Sequence, residues 1–314
     1  MNFISIKDIK SISPLVKDAI SLKISPFKHK NLGKNKTLGM LFFNPSLRTR
    51  LSTQKAAVNL GMDVIVMNFS SEGWALEFID GTIMNGSTSE HIKEAARVIS
   101  QYCDIIAVRS FPNLINRDDD YSEIVIKSFV KYASVPIVSM ESATGHPLQA
   151  LADAITIEEF KKTLIPKIVL SWAPHPKALP QAVANSFTDI MQLQNVNFII
   201  THPKGYELKK EITKNTKREY HQNEAFKNAD FIYAKNWSSY NDYGKILSND
   251  KNWMITESKM AITNNAKFMH CLPVRRNVIV EDAVIDSKNS IVIEQANNRT
   301  YATQAVLKKI LENE

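Results

Sequence analysis

An apolar run ending at Phe43 leads into Asn44-Pro45-Ser46-Leu47-Arg48-Thr49-Arg50, and beyond it Ala56, Ala57 and Leu60 fall on one helical face. The order is strand, short turn, helix start. The first amide N–H groups of a helix have no acceptor within it and its dipole favours negative charge. Hydroxyls and guanidiniums packed into such a turn form a site for a phosphate dianion, because planar guanidiniums bind oxyanions with charge-assisted hydrogen bonds. A capped helix with exposed arginines would explain Arg48 or Arg50 alone, but not the grouped Ser46, Arg48, Thr49 and Arg50. No glycine-rich loop ending in lysine occurs here, so the turn is not a nucleotide P-loop.

Polar residues recur at three further predicted strand ends. Arg109 follows the apolar residues 105–108, His146 and Gln149 follow a strand ending near Met140, and His270-Cys271-Leu272-Pro273 ends another, with Arg275 and Arg276 just beyond. Each has an ordinary account taken singly: a surface ion pair for Arg109, a helix cap for His146, a small core residue for Cys271. Their recurrence at strand carboxyl ends carries the argument, since open parallel sheets bind ligands there.

Short β-branched runs alternating with longer helical segments position these residues, and that rhythm predicts parallel sheets. Strands are expected at 36–43, 63–69, 104–111, 135–140, 167–172, 197–202, 230–237, 268–272 and 290–293. Ile92, Ala95, Ala96 and Ile99 predict a helix, with Ser87 and Glu90 placed as its capping box. A further helix begins near Pro147, because proline suits a first helical turn. The expected fold is α/β: two doubly wound domains, each with a central parallel sheet, joined by interdomain helices. Residues 1–143 form the first domain, completed by a C-terminal helix at 300–314, and 144–299 form the second.

The chain has 314 residues, 44% hydrophobic and 23% charged, long enough for two packed domains. It lacks an apolar stretch long enough to span a bilayer, and its start does not read as a secretory signal. Two cysteines, Cys103 and Cys271, fit a reducing cytosol and supply no disulfide framework or cysteine-rich metal site. The net charge of +7 is spread over clusters such as Lys28, Lys30, Lys34 and Lys36 without regularly interleaved aromatics, which reads as solvated surface. A nucleic-acid-binding module would need a continuous basic face and steeply salt-dependent binding.

Ser46-Leu47-Arg48-Thr49-Arg50, His146-Pro147-Leu148-Gln149 and His270-Cys271-Leu272-Pro273 resemble, in order, three motifs of the aspartate and ornithine carbamoyltransferases. The resemblance spans nearly the whole chain. It implies that the first domain binds carbamoyl phosphate, the second binds the amine, trimers share active sites, and no metal or organic cofactor takes part. By this resemblance Ser46, Leu47, Arg48, Thr49 and Arg50 hold the phosphate, and Trp74 of a neighbouring subunit closes the pocket. Arg109, His146 and Thr49 bond the carbamoyl oxygen, while Gln149 and the carbonyl of Cys271 or Leu272 orient its NH2. Arg299, in Asn297-Asn298-Arg299, and Arg276 are further candidates for the carbamoyl group or carboxylates. The Leu272-Pro273 bond is a candidate cis peptide. A catalytically silent paralogue is disfavoured by the intact Arg48, Arg50, Arg109, His146 and Gln149.

Departures from the ornithine pattern narrow the amine. Leu47 stands where ornithine enzymes have threonine, and Tyr233-Ala234-Lys235-Asn236-Trp237 replaces the segment that holds a free α-ammonium. A lysine repels an ammonium but suits an acylated amine bearing a carboxylate. Glu141, Trp74, Lys235 and Asn236-Trp237 resemble the N-acylornithine branch, and the segments around His175 and Leu179 resemble its succinyl members. Ser89 occupies the position where succinyl-preferring relatives carry proline and acetyl-preferring ones glutamate. It lacks the anion that would repel a succinyl carboxylate. Glu141, His175, Lys235, Leu272, Arg276 and Ser89 are therefore the expected acylornithine contacts, with N-acetylornithine and ornithine as alternative acceptors.

Overall fold

The computed structural model describes residues 1–313. Along the chain the elements are α1 (Ser13–Ile24), β1 (Thr37–Phe42), α2 (Leu47–Leu60), β2 (Asp63–Asn68), β3 (Leu76–Glu77), β4 (Glu90–His91), α3 (Ile92–Ile99), β5 (Ile105–Arg109), α4 (Arg117–Ser122), α5 (Ile124–Tyr132) and β6 (Ile137–Glu141). Then come α6 (Pro147–Phe160), β7 (Lys167–Trp172), α7 (Ala182–Met191), β8 (Asn197–Thr201), α8 (Lys210–Thr213), β9 (Lys217–Glu219), α9 (Gln222–Phe226), β10 (Phe231–Lys235), α10 (Glu257–Ala261), β11 (Lys267–Met269), α11 (Asp282–Ile285) and α12 (Val292–Leu311). They fall into two compact units. Unit 1 holds Met1–Asn113, Asp118–Leu148 and the chain from Arg299 onward; unit 2 holds Leu114–Arg117 and Gln149–Asn298.

Unit 1 is built on a parallel sheet of order β2-β1-β5-β6. Every residue of β5 and β6 is buried, as expected of strands covered on both faces. Leu41, Ile92, Ala96, Ile106, Val108 and Phe129 belong to its core. Helix α2 ends at Gly61 in the left-handed conformation, φ 83°, where an added Cβ would lie 2.0 Å from the Lys30 carbonyl oxygen. Only glycine fits so close a backbone approach. The end of α12 completes this unit: Asn59 Nδ2 donates to Gln304 Oε1 at 3.0 Å and Lys308 pairs with Asp18 at 3.2 Å.

Unit 2 has a parallel sheet of order β11-β10-β7-β8-β9. Val169, Ile199, Phe226, Ile232 and Phe268 share one core cluster. On the other side Phe187 meets Tyr233 edge to face at 4.6 Å, an arrangement that suits the ring quadrupoles.

Three local expectations are corrected. Residues 290–293 are not a strand: Ser290 makes one bridge to Phe268, and α12 starts at Val292. A short apolar run does not separate a strand from the start of a buried helix, and Ile293, 68% exposed, already faces out. The last helix accordingly begins well before residue 300. Ser87 and Glu90 do not cap α3, whose N-cap is His91, accepting from Lys93 N–H. Glu90 instead belongs to β4, paired with Leu76, and its carboxylate accepts the Trp74 indole N–H. The short strands β3, β4 and β9 carry no readable alternation. Among the described residues no helix is long and apolar enough to cross a membrane, and neither cysteine forms a disulfide.

Candidate active site

In unit 1, β1 delivers the chain to Ser46, whose extended backbone makes it the N-cap of α2, its hydroxyl accepting Thr49 N–H at 3.4 Å. Leu47 is exposed, so it contributes its backbone to the turn, and Arg50 also faces out. Arg48 is half-buried with its Nε lacking a hydrogen-bond partner. A buried donor without an acceptor is costly, and a bound anion would supply one. Thr49 is buried, and its Oγ1 accepts from Arg299 Nη2 at 2.6 Å, which brings the distant Arg299 to the turn.

Arg109, at the end of β5, braces the same turn from below. Its Nη1 donates to the carbonyls of Asn44 (3.0 Å) and Pro45 (2.9 Å), and its Nε and Nη2 donate to Glu141 Oε2 at 3.2 and 2.9 Å. A bulge after Val108 sets Arg109 opposite Glu141. His146 Nε2 lies 3.7 Å from the same carboxylate oxygen, and all three residues are buried. A guanidinium has five N–H groups, so one on Nη2 remains for another acceptor.

The loop carrying His146 is held by Glu123, a residue the sequence did not single out. With φ 56°, Glu123 accepts from Ser142 Oγ and Thr144 N, both at 2.7 Å. On the exposed segment, Trp74 Nε1 donates to Glu90 at 2.8 Å and Ser89 N–H bonds Ala75 O at 3.0 Å, so β3 and β4 bring Trp74 and Ser89 together.

Unit 2 gathers the remaining candidates. Gln149 is buried on α6 and donates to Asp153 Oδ1 at 2.7 Å. His270 N–H donates to Gln295 Oε1, and His270 Nδ1 accepts Leu272 N–H, both at 2.9 Å. Leu272 has φ 56° and is joined to Pro273 by a cis peptide bond, the isomer expected from the resemblance. Cys271 and Tyr233 are buried; burial first, and then the Asp153 charge, push the Tyr233 hydroxyl well above the ordinary range.

Lys235 ends β10, buried and in register with Trp172. Asn236 and Trp237 are fixed beside it, Asn236 Nδ2 on Ala173 O at 2.7 Å and Trp237 accepting the Trp172 indole N–H at 3.0 Å. His175 Nε2 accepts from Arg275 Nε at 3.1 Å, and its Nδ1 lies 2.8 Å from Lys177 O and 3.0 Å from Lys177 N. Burial lowers the His175 pKa, and the charges of Arg275 and Lys235 lower it further. Arg276 is exposed and turned to Asp282 and Asp286, at 2.8 and 2.6 Å.

Fold and strand-end chemistry together define a doubly wound α/β protein whose β1–α2 turn gathers Ser46, Arg48, Thr49 and Arg299 at a helix N-terminus. The profile of the aspartate/ornithine carbamoyltransferase carbamoyl-P binding domain matches residues 1–159, and that of the Asp/Orn binding domain matches 180–310. The chain belongs to the aspartate/ornithine carbamoyltransferase family. It is 54% identical to an N-succinylornithine carbamoyltransferase of Bacteroides fragilis (strain 638R), over 99% of this chain and 98% of the relative. It is 38% identical to an N-acetylornithine carbamoyltransferase of Xanthomonas axonopodis pv. citri (strain 306), over 92% of this chain and 91% of the relative. A glutamate-to-serine mutant of N-acetyl-L-ornithine transcarbamylase, crystallised with carbamyl phosphate and N-succinyl-L-norvaline, superposes with a TM-score of 0.93 at 35% identity, covering 99% of each chain.

Proposed function

We propose that the protein transfers the carbamoyl group of carbamoyl phosphate to the δ-amine of N2-succinyl-L-ornithine, giving N-succinylcitrulline and phosphate, a step of arginine biosynthesis. The observation that carries this is the Ser46–Arg50 turn with its unsatisfied Arg48 Nε, braced by Arg109 and Arg299. The phosphate sits on that turn, so the leaving group departs with its charge neutralised. Arg109, His146 and Thr49 meet the carbamoyl oxygen, and donors fixed in place before reaction stabilise the oxyanion as it develops. The neutral amine attacks the carbonyl carbon, its C–N bond forms, and the bond from carbon to the phosphate oxygen breaks. Glu141 is committed to Arg109, so the departing phosphate accepts the amine proton.

Lys235 selects an acylated amine by repelling a free α-ammonium and attracting a carboxylate. Ser89, with no charge of its own, leaves room for the succinyl carboxylate. Glu141, first expected at the acylornithine, acts through Arg109 in this reading, and Arg276 is held away by its two aspartates. The same reading carries a cytosolic homotrimer, supported by the exposed Trp74 (59%), Ile79 (63%) and Ile83 (81%) on one segment.

Comparing N-succinylornithine, N-acetylornithine and ornithine at equal concentration tests the proposal, with product formation fastest from the succinyl compound. Arg48→Ala should lose most turnover and keep its fold by circular dichroism. Preference for free ornithine, or full activity without the Arg48 guanidinium, overturns it.

A further inference from the structure

Asp153 lies one helical turn after Gln149 on α6 and is completely buried. Residues at i and i+4 face one another, so the two side chains meet without any tertiary adjustment. One carboxylate oxygen, Oδ1, receives two amides: Gln149 Nε2 at 2.7 Å and Gln295 Nε2 at 2.7 Å. Gln295 in turn accepts His270 N–H through its Oε1 at 2.9 Å. Within unit 2 the path joins Gln149 to the His270–Pro273 turn through a single acid.

A side-chain amide has a donor end and an acceptor end, and here chemistry fixes which is which. Asp153 Oδ1 accepts from both amides, so both glutamines turn their NH2 groups toward it. Gln295 is constrained twice, because its other neighbour is a backbone N–H that only donates. Gln149 is thereby left with its carbonyl Oε1 outward, buried and with no hydrogen-bond partner. An acceptor kept dry and unsatisfied is costly in a folded chain and suits a ligand N–H.

We infer that Asp153 is a positioning residue that locks the Gln149 amide so that its Oε1 accepts an N–H of the carbamoyl NH2 group, while anchoring the His270–Pro273 turn through Gln295. This rests on the carbamoyl-transfer reading above. Asp153 touches no substrate; it acts by denying Gln149 the flipped amide, which would point two N–H donors at a donor.

The test is a double-mutant cycle on the full chain, using Asp153→Leu, Gln149→Ala and the pair together. Asp153→Leu lowers kcat on the order of tenfold or more, as expected when a positioned group becomes misoriented. The paired variant is then within about twofold of Gln149→Ala alone, since groups acting through one another are not additive. Losses that multiply, or full activity in Asp153→Leu, overturn the inference. A second measurement needs no variant: with glutamines selectively 15N-labelled, the Gln149 side-chain N–H groups exchange slowly with solvent, and rapid exchange overturns the inference even if Asp153→Leu fails to fold. Absence of carbamoyl transfer by the unmodified chain removes the parent reading, while amide exchange still decides how Gln149 is oriented.

Discussion

The Glu141 carboxylate shows how one buried charge serves several groups. It accepts from Nε and Nη2 of Arg109 and lies 3.7 Å from His146, all beneath the turn that starts α2. Removing one partner of a buried pair leaves an uncompensated charge, at a cost of about 3–5 kcal/mol. Glu141→Ala should therefore lower stability by about that amount in urea denaturation, and Glu141→Gln, which keeps an acceptor, by less. Residue identity near the strand ends was legible in the sequence because Arg109 and His270 interrupt apolar runs and His146 directly precedes the proline that opens α6. Partnership was not. Arg276 reads as a free cation after Pro273, yet Asp282 and Asp286 reach back to it across a turn. Asp153 reads as one acid on a helix, and only burial reveals it as the meeting point of two glutamines.

At the scale of elements, the inner strands of both sheets were legible because covered parallel strands are apolar and β-branched through the middle, whereas the edge strand β9, with sequence Lys-Arg-Glu, was not. The boundaries were less so, since His91, not Ser87, caps α3, and Ser290 opens onto a helix. Capping depends on which side chain reaches a backbone N–H, and spacing alone does not set that. The turn from α2 to β2 is set by one residue, Gly61. Alanine there must adopt φ 83° and crowd Lys30 O, so Gly61→Ala should cost at least about 1–3 kcal/mol, read as a fall in urea midpoint at unchanged slope. The effect reaches the candidate site because the other end of α2 starts from its N-cap Ser46, in the Ser46–Arg50 turn.

Across the whole molecule, acid sensitivity follows from histidines held neutral. His202 is 1% exposed, and burial depresses its pKa below the ordinary 6.5, opposed by its bond to Pro203 O and by Glu207. His175 is shifted the same way. Below pH 6.5 the unfolded chain takes up protons that the folded chain refuses, so stability is complete above that pH and declines as pH falls toward the folded values. His202→Asn should flatten the plot of melting temperature against pH over that interval. Unit 1, meanwhile, depends on residues far apart in the chain. Thr49 needs Arg299, Asn59 needs Gln304 and Asp18 needs Lys308. A ribosome making this chain releases the sheet of unit 1 first and its closing helix last. The nascent protein therefore carries the Ser46–Arg50 turn unfinished through most of its own synthesis, and Thr49 meets Arg299 only near the end of translation.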